Sequence, residues 1–188
     1  MKRFKREDGT DFPDWQEAEF EDVLRVVPSK KFGIVSKEFL SVGDFPIVTQ
    51  SRSELISGYT NDPTKILPQE GPSHILFGDH SCALKFLDFS CALGGDGIKL
   101  LKVASEDLFN PKFIYYLLKS KNVRNSGYKR HFYKWEKRVL SIPCLEEQNK
   151  IADFLTELDK RIGLEKQLVE QLVEQHKGIA QELMEVIL

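Results

Sequence analysis

The chain has 188 residues, 41% of them hydrophobic and 30% charged, with a formal net charge of −2. That length supports one globular domain plus a further element, and the composition is that of a folded chain rather than a disordered one. No apolar run reaches the roughly 20 residues of a membrane span, and the polar start MKRFKREDGT does not read as a secretory signal. The three cysteines, Cys82, Cys91 and Cys144, are odd in number and lack CxxC spacing, so reduced thiols and a cytoplasmic location are expected.

Taken in order, residues 1–11 are a charged N-terminal lead, expected to fray or to act as a connector. From Phe12 to Val27, the apolar residues Trp15, Phe20, Val23, Leu24 and Val27 predict a small helix or strand that enters the core. Pro28-Ser29-Lys30-Lys31 is a turn, and Phe39 to Thr49 reads as extended segments joined at Gly43-Asp44. Turns follow at Ser57-Gly58-Tyr59 and Asn61-Asp62-Pro63. Three strands come next: His74–Phe77, Cys82–Phe89 and Ile98–Val103, separated by Gly78-Asp79-His80 and by Gly94-Gly95-Asp96-Gly97. Asn110-Pro111 opens a helix through FIYYLLKS, with asparagine as N-cap and proline in the first turn. Residues 122–133 are irregular, and Trp135–Ile142 leads to Pro143. Strands punctuated by glycine turns, without regular βαβ alternation, predict an α+β fold: a globular domain with a twisted mixed or antiparallel sheet and short helices.

The last quarter is a long helix. Sevens counted from Ile151 give Ile151, Leu158, Glu165, Leu172, Ile179 and Val186, and four residues after the first five come Leu155, Ile162, Val169, His176 and Leu183. This is one apolar stripe, interrupted at Glu165 and His176. Glu146 and Glu147 fall in the first turn, where the helix dipole favours acids. Gly163 and Gly178 each cost about 1 kcal/mol against alanine, too little to break a helix that packs along its length. A helix from Glu147 to the last residue runs roughly 63 Å. A body of some 140 residues cannot cover such a stripe, so part of it needs another long helix, in a coiled coil or small bundle.

The net charge hides a segregation. Residues 110–140 hold nine Lys/Arg and one acid, net +8, whereas residues 145–188 hold five and ten, net −5. A basic block beside an acidic arm implies that one surface meets a polyanion. Within Lys112–Arg138, cations alternate with Phe113, Tyr115, Tyr116, Tyr128, Phe132, Tyr133 and Trp135. Cations displace phosphate counterions, and planar groups settle on sugars and bases. Phe113, Ile114, Leu117 and Leu118 are assigned to a core-facing helix side. The loop-like stretch, with Arg124, Tyr128, Lys129, Arg130 and Lys134, is assigned to nucleic-acid contact, helped by Lys30, Lys31, Arg52, His80 and Lys99.

Catalytic readings are weaker. Asp79, His80, Ser81 and Cys82 are consecutive, and adjacent residues rarely converge on one reacting atom. His80, Cys82, Cys91 and Asp96 lack zinc-ligand spacing. The glycine cluster at 94–97 matches neither GxGxxG nor a P-loop. The alternative function is a metal-dependent nuclease using Asp79, His80 and Asp96; otherwise no cofactor and no metal are expected.

The run Ile142-Pro143-Cys144-Leu145-Glu146-Glu147-Gln148, continued by Ile151-Ala152-Asp153-Phe154-Leu155, Leu158-Asp159 and Ile162, resembles the conserved helix of type I restriction-modification specificity subunits. Gly78-Asp79-His80-Ser81, Asp96-Gly97-Ile98-Lys99 and Gly127-x-x-Arg130-His131-Phe132 resemble one version of that family's target-recognition domain, and Trp15 its usual start. The resemblance implies a non-catalytic subunit with a recognition domain at 12–142 and a coiled-coil helix at 143–188. It would read half of a bipartite target in double-stranded DNA and scaffold methylation (M) and restriction (R) subunits. Known members usually carry two recognition domains and two long helices, and this chain has one of each. It is therefore expected to be a half-subunit or a fragment, meeting a second copy or a second recognition half through Ile151, Leu155, Leu158, Ile162, Val169, Leu172, Ile179 and Leu183.

Overall fold

The computed structural model describes residues 3–68, 73–121, 123–127 and 129–187, with side chains as far as residue 184 in the last helix. The elements, in order, are β1 (Gln16–Glu19), α1 (Phe20–Val23), β2 (Leu24–Val27), β3 (Gly33–Ile34), β4 (Phe45–Val48), β5 (Gly58–Thr60), β6 (His74–Gly78) and β7 (Leu84–Leu87). Then come β8 (Ala92–Gly94), β9 (Ile98–Val103), α2 (Pro111–Ser120), α3 (Tyr133–Glu136), β10 (Val139–Ile142) and α4 (Leu145–Ile187). They fall into two units, Met1–Lys150 and Ile151–Leu188.

In the first unit β2, β9, β6 and β7 form an antiparallel sheet in that order. A second sheet, β3-β8-β4-β5, is mixed: β8 runs parallel to β3 and β4, and β5 antiparallel to β4. The expected α+β class with mixed and antiparallel sheets is what the chain adopts. Alternation of side chains explains why the first sheet is apolar on both faces. Leu76 and Leu100 point into a cluster with Val48, Leu93, Leu87 and Phe32. Phe77, on the opposite face of β6, lies 5.9 Å from the Phe132 ring. Helix α2 covers part of the sheet with Phe113, Ile114, Leu117 and Leu118, all buried; each such side chain contributes about 1.5–3 kcal/mol. Asn110 caps it by accepting from Phe113 N at 2.9 Å, with Pro111 in the first turn, as the sequence predicts.

Several expectations need correcting. The lead at 1–11 does not fray over its described part: Lys5 bridges to Asp11, and the guanidinium of Arg3 donates to both oxygens of Glu147, at 3.1 and 2.7 Å. Glu147 is 1% exposed and also accepts from Trp15 Nε1 at 3.1 Å, so its role goes beyond the helix dipole. Gly58 begins a strand rather than a turn, and a Cβ there would lie 3.2 Å from Phe39 Cβ. The strand expected from Cys82 starts at Leu84, because Cys82 has φ of 57° and closes a turn by donating its N–H to Gly78 O.

Gln148 continues the anchoring of α4. Its amide donates to Leu108 O and Pro143 O, while its oxygen accepts from Asn110 N at 2.9 Å. The motif that carries the family resemblance is therefore the one that ties the helix base to the lead and to the α2 cap. Beyond it, the second unit is a single helix, unbroken at Gly163 and Gly178, and the whole of α4 spans 43 residues, roughly 65 Å at 1.5 Å per residue.

Candidate nucleic-acid interface

Several of the predicted contact residues lie on or beside turns that a small set of hydrogen bonds holds together. The turn after β6 is the hub. Gln50 accepts from the N–H groups of His80 and Ser81 at 3.3 and 3.2 Å, and its own amide donates to Asp96 O at 2.8 Å. Asp79 N donates to Gly97 O at 2.7 Å. Gly97 has φ of 74°, and a Cβ there would lie 2.5 Å from the His80 ring, so glycine is needed for both backbone and space. These bonds place the loop carrying Arg52, the turn carrying His80 and the turn preceding Lys99 side by side. The Arg52 loop has a second anchor: buried Lys85 donates to Glu54 O and Leu55 O. Burial lowers the pKa of Lys85, and Glu54 opposes that shift.

The basic loop joins the same hub. Asp79, 4% exposed, accepts on one carboxylate oxygen from His131 N and Phe132 N at 2.7 and 2.8 Å. Ser126 N donates to His131 Nε2 at 3.1 Å, so Nδ1 carries the proton and faces Asp79 O at 3.0 Å. Asn125 donates to His80 O at 3.2 Å. Between these fixed points lie Lys129 and Arg130, both exposed, with Arg124 exposed just before them. Tyr128 lies outside the described residues. Lys134 reaches Ser126 Oγ at 3.4 Å. Burial raises the pKa of the Cys82 thiol, and the charges of Arg52 and Lys134 act against that shift.

Lys30, Lys31 and Lys99 meet on a groove of about 790 Å³ that Gly95, Asp96 and Gly97 also line. Lys99 Nζ sits 5.5 Å from the centre of the Phe132 ring. Among the described residues, Lys30, Lys31, Arg52, Lys99, Arg124, Lys129, Arg130 and Lys134 have no acidic partner. Some cations elsewhere are paired: Arg3 with Glu147, Lys112 with Asp88, Lys160 with Glu157 and Lys177 with Glu174.

Part of the basic-aromatic segment is spent internally. Lys112 covers the Phe86 ring at 4.0 Å, and Arg138 lies 4.4 Å from the Trp135 ring. Phe132 and Trp135 are 4% and 1% exposed. Those two rings are core, not stacking platforms, contrary to the reading of that alternation as a nucleic-acid surface. The ties Gln50, Asn125 and Ser126 have no sequence signal beyond being polar residues near turns. The nuclease set is not assembled either: the Asp79 carboxylate faces backbone N–H groups, and Asp96 is exposed. Among the described residues no three His, Cys, Asp or Glu side chains are placed to hold a metal ion.

The first unit thus presents cations without acidic partners, and the second is a long amphipathic helix. The chain belongs to the type I restriction modification DNA specificity domain family, whose model matches residues 13–174. It is 24% identical over 158 residues to the type I restriction enzyme EcoR124I/EcoR124II specificity subunit of Escherichia coli, covering 80% of this chain and 39% of that one. The fold is similar to that of the type I restriction-modification system S subunit from M. genitalium, with TM-score 0.61 and 14% identity over 80% of this chain and 40% of that one. It is also similar to the HsdS subunit from Thermoanaerobacter tengcongensis, with TM-score 0.51 and 16% identity over 81% and 39%. The chain thus spans about two fifths of the length of these relatives.

Proposed function

We propose that the chain is a non-catalytic specificity module that reads one half of a bipartite site in double-stranded DNA. The recognition domain is 12–142 and the helix is 143–188. The unpaired cations on the tied loops carry this reading: groups with no internal counter-charge are free to displace the counterions of phosphate. Lys30, Lys31 and Lys99 hold the backbone along their groove. Arg52, His80, Arg124, Tyr128, Lys129, Arg130 and Lys134 are assigned to contact with the duplex, and of these Arg124 and Arg130 carry the guanidinium fork that would read guanine. The helix sets a second recognition half at a fixed separation. It also docks methylation and, through them, restriction subunits; Leu164, Leu168 and Val173, exposed outside the main stripe, add apolar surface for such partners. Nothing in this role requires a cofactor. No described helix is long and apolar enough to cross a membrane. Work beside DNA in the cytoplasm fits the free thiols of Cys82, Cys91 and Cys144.

The test is Arg130→Ala in the complex with its methylation subunits. Thermal stability should stay unchanged, target affinity should fall by about tenfold or more, and discrimination at one base pair should relax. Unchanged affinity and salt dependence would contradict the assignment. Plasmid cleavage by the purified chain with Mg²⁺, abolished by Asp96→Ala, would favour a nuclease.

A further inference from the structure

We propose that Lys85 is a positioning residue for the reading of DNA: from strand β7 it holds the loop between β4 and β5 rigid, so that Ser51, Arg52 and Ser53 at its tip meet base edges as one preformed element. This rests on the reading of the first unit as a DNA-recognition domain. It goes beyond that reading by committing this loop to the bases and by naming the residue that fixes it.

Lys85 lies on β7, the edge of the β2-β9-β6-β7 sheet, opposite Leu76 and two residues before Leu87. Leu76 and Leu87 belong to the core cluster, and Lys85 shares their face and is itself buried. Its ammonium donates to Glu54 O at 2.5 Å and to Leu55 O at 3.3 Å. Among the described residues it makes no salt bridge. A buried cation without a carboxylate beside it costs stability, and a methionine of similar length would fill the same space without that cost. The core therefore gives no reason for a lysine here. Its two bonds, both to one loop, do.

That loop has little else to hold its far side. Leu55 and Ile56 are exposed, so apolar burial does not pin it. Its base is closed by Thr49 Oγ1 and Ser57 Oγ, 2.7 Å apart, and by Ser57 N donating to Ile47 O at 2.8 Å. Gln50 fixes its entry by bonding the His80 turn and Asp96 O, and Lys85 fixes its exit. Between these ties lie Ser51, Arg52 and Ser53. Ser51 N donates to Thr49 Oγ1 at 3.1 Å, and the hydroxyls of Ser51 and Ser53 are 3.1 Å apart. Arg52 is exposed at the tip. Attraction to phosphate tolerates a mobile cation, whereas reading a base edge needs donors held in place. A loop tied on both sides of its one arginine suits the second task.

The experiment has one arm without DNA and one with it. In the purified full chain, trypsin should cut after Arg52 at least about tenfold more slowly than in a peptide of residues 47–59, and Lys85→Met should remove most of that protection, because the freed loop opens locally. Thermal unfolding should be no lower in the variant. In the complex with its methylation subunits, Lys85→Met should lower affinity for the duplex retained from a random pool by about tenfold. Discrimination against single-base changes should relax, while the slope of log affinity against log salt stays the same. Lys85→Met with Arg52→Ala should bind within about threefold of Arg52→Ala alone, because both act through one contact. Losses that multiply overturn the proposal, as does a Lys85→Met chain that melts earlier or fails to fold. Cleavage of the unmodified chain as fast as of the peptide overturns the tie with no variant needed. Faster cleavage with unchanged discrimination overturns the loop's part in reading and leaves the DNA reading standing. An unmodified complex that retains no duplex overturns the DNA reading itself, and this proposal with it.

Discussion

The two units of this chain treat the same residue types in opposite ways. Between residues 3 and 150 a continuous apolar core is enclosed, with exposed apolar residues such as Val42 and Leu108 scattered outside it, and several cations without an acidic partner among the described residues sit on segments tied to the Asp79 turn. Along α4 beyond Ile151 the apolar residues are exposed in a stripe, and Lys160 and Lys177 are paired within the helix. The first unit encloses a core and presents cations without acidic partners; the second presents a continuous apolar stripe alongside the two ion pairs. A polyanion complements the one and an apolar helix the other.

The largest expected effect comes from the bare stripe. Leu158→Asp with Leu172→Asp should convert an assembled species to monomers by light scattering, with the globular unit's melting unchanged; a double variant that still assembles would show the stripe to be idle. Next comes the hub. Asp79→Ala leaves the buried N–H of Phe132 without an acceptor and that of His131 with the Asp79 carbonyl alone, a loss of about 1–3 kcal/mol in unfolding free energy. Asp79→Asn keeps the acceptor oxygen and should recover most of that loss in the same denaturant titration. Cys91 provides a smaller, pH-dependent effect. Burial pushes its thiol from 9.0 up to about 12, so from pH 9 to about 12 the unfolded chain releases this proton and the folded chain does not. Stability is fully present below pH 9 and declines through that window, whereas Cys91→Ala should show a shallower decline. The smallest effect belongs to one groove cation: Lys99→Gln should reduce the slope of log affinity against log salt by about 1 without moving specificity.

Much of this contrast is legible in the sequence because its causes are local. Heptad spacing reveals α4, Asn110-Pro111 marks the start of α2, and β9 occupies the residues that its apolar pattern predicts. What is hidden depends on distant partners. Glu147 reads as a dipole residue until Arg3 and Trp15 arrive from the other end of the chain. Phe132 and Trp135 look like bases' stacking partners until Phe20 and Phe77 enclose the former and burial the latter. The candidate site is legible as a set of cations but not as an assembly, since Gln50 and Asn125 join turns 30 to 46 residues away.

The most direct test is selection from a random pool of duplexes by the chain assembled with its methylation subunits, followed by sequencing of what is retained. The account predicts an enriched pair of short, inverted half-sites separated by a spacer of fixed length and unselected sequence. Recovery of duplexes no different from the starting pool, or of one uninterrupted site, would contradict it.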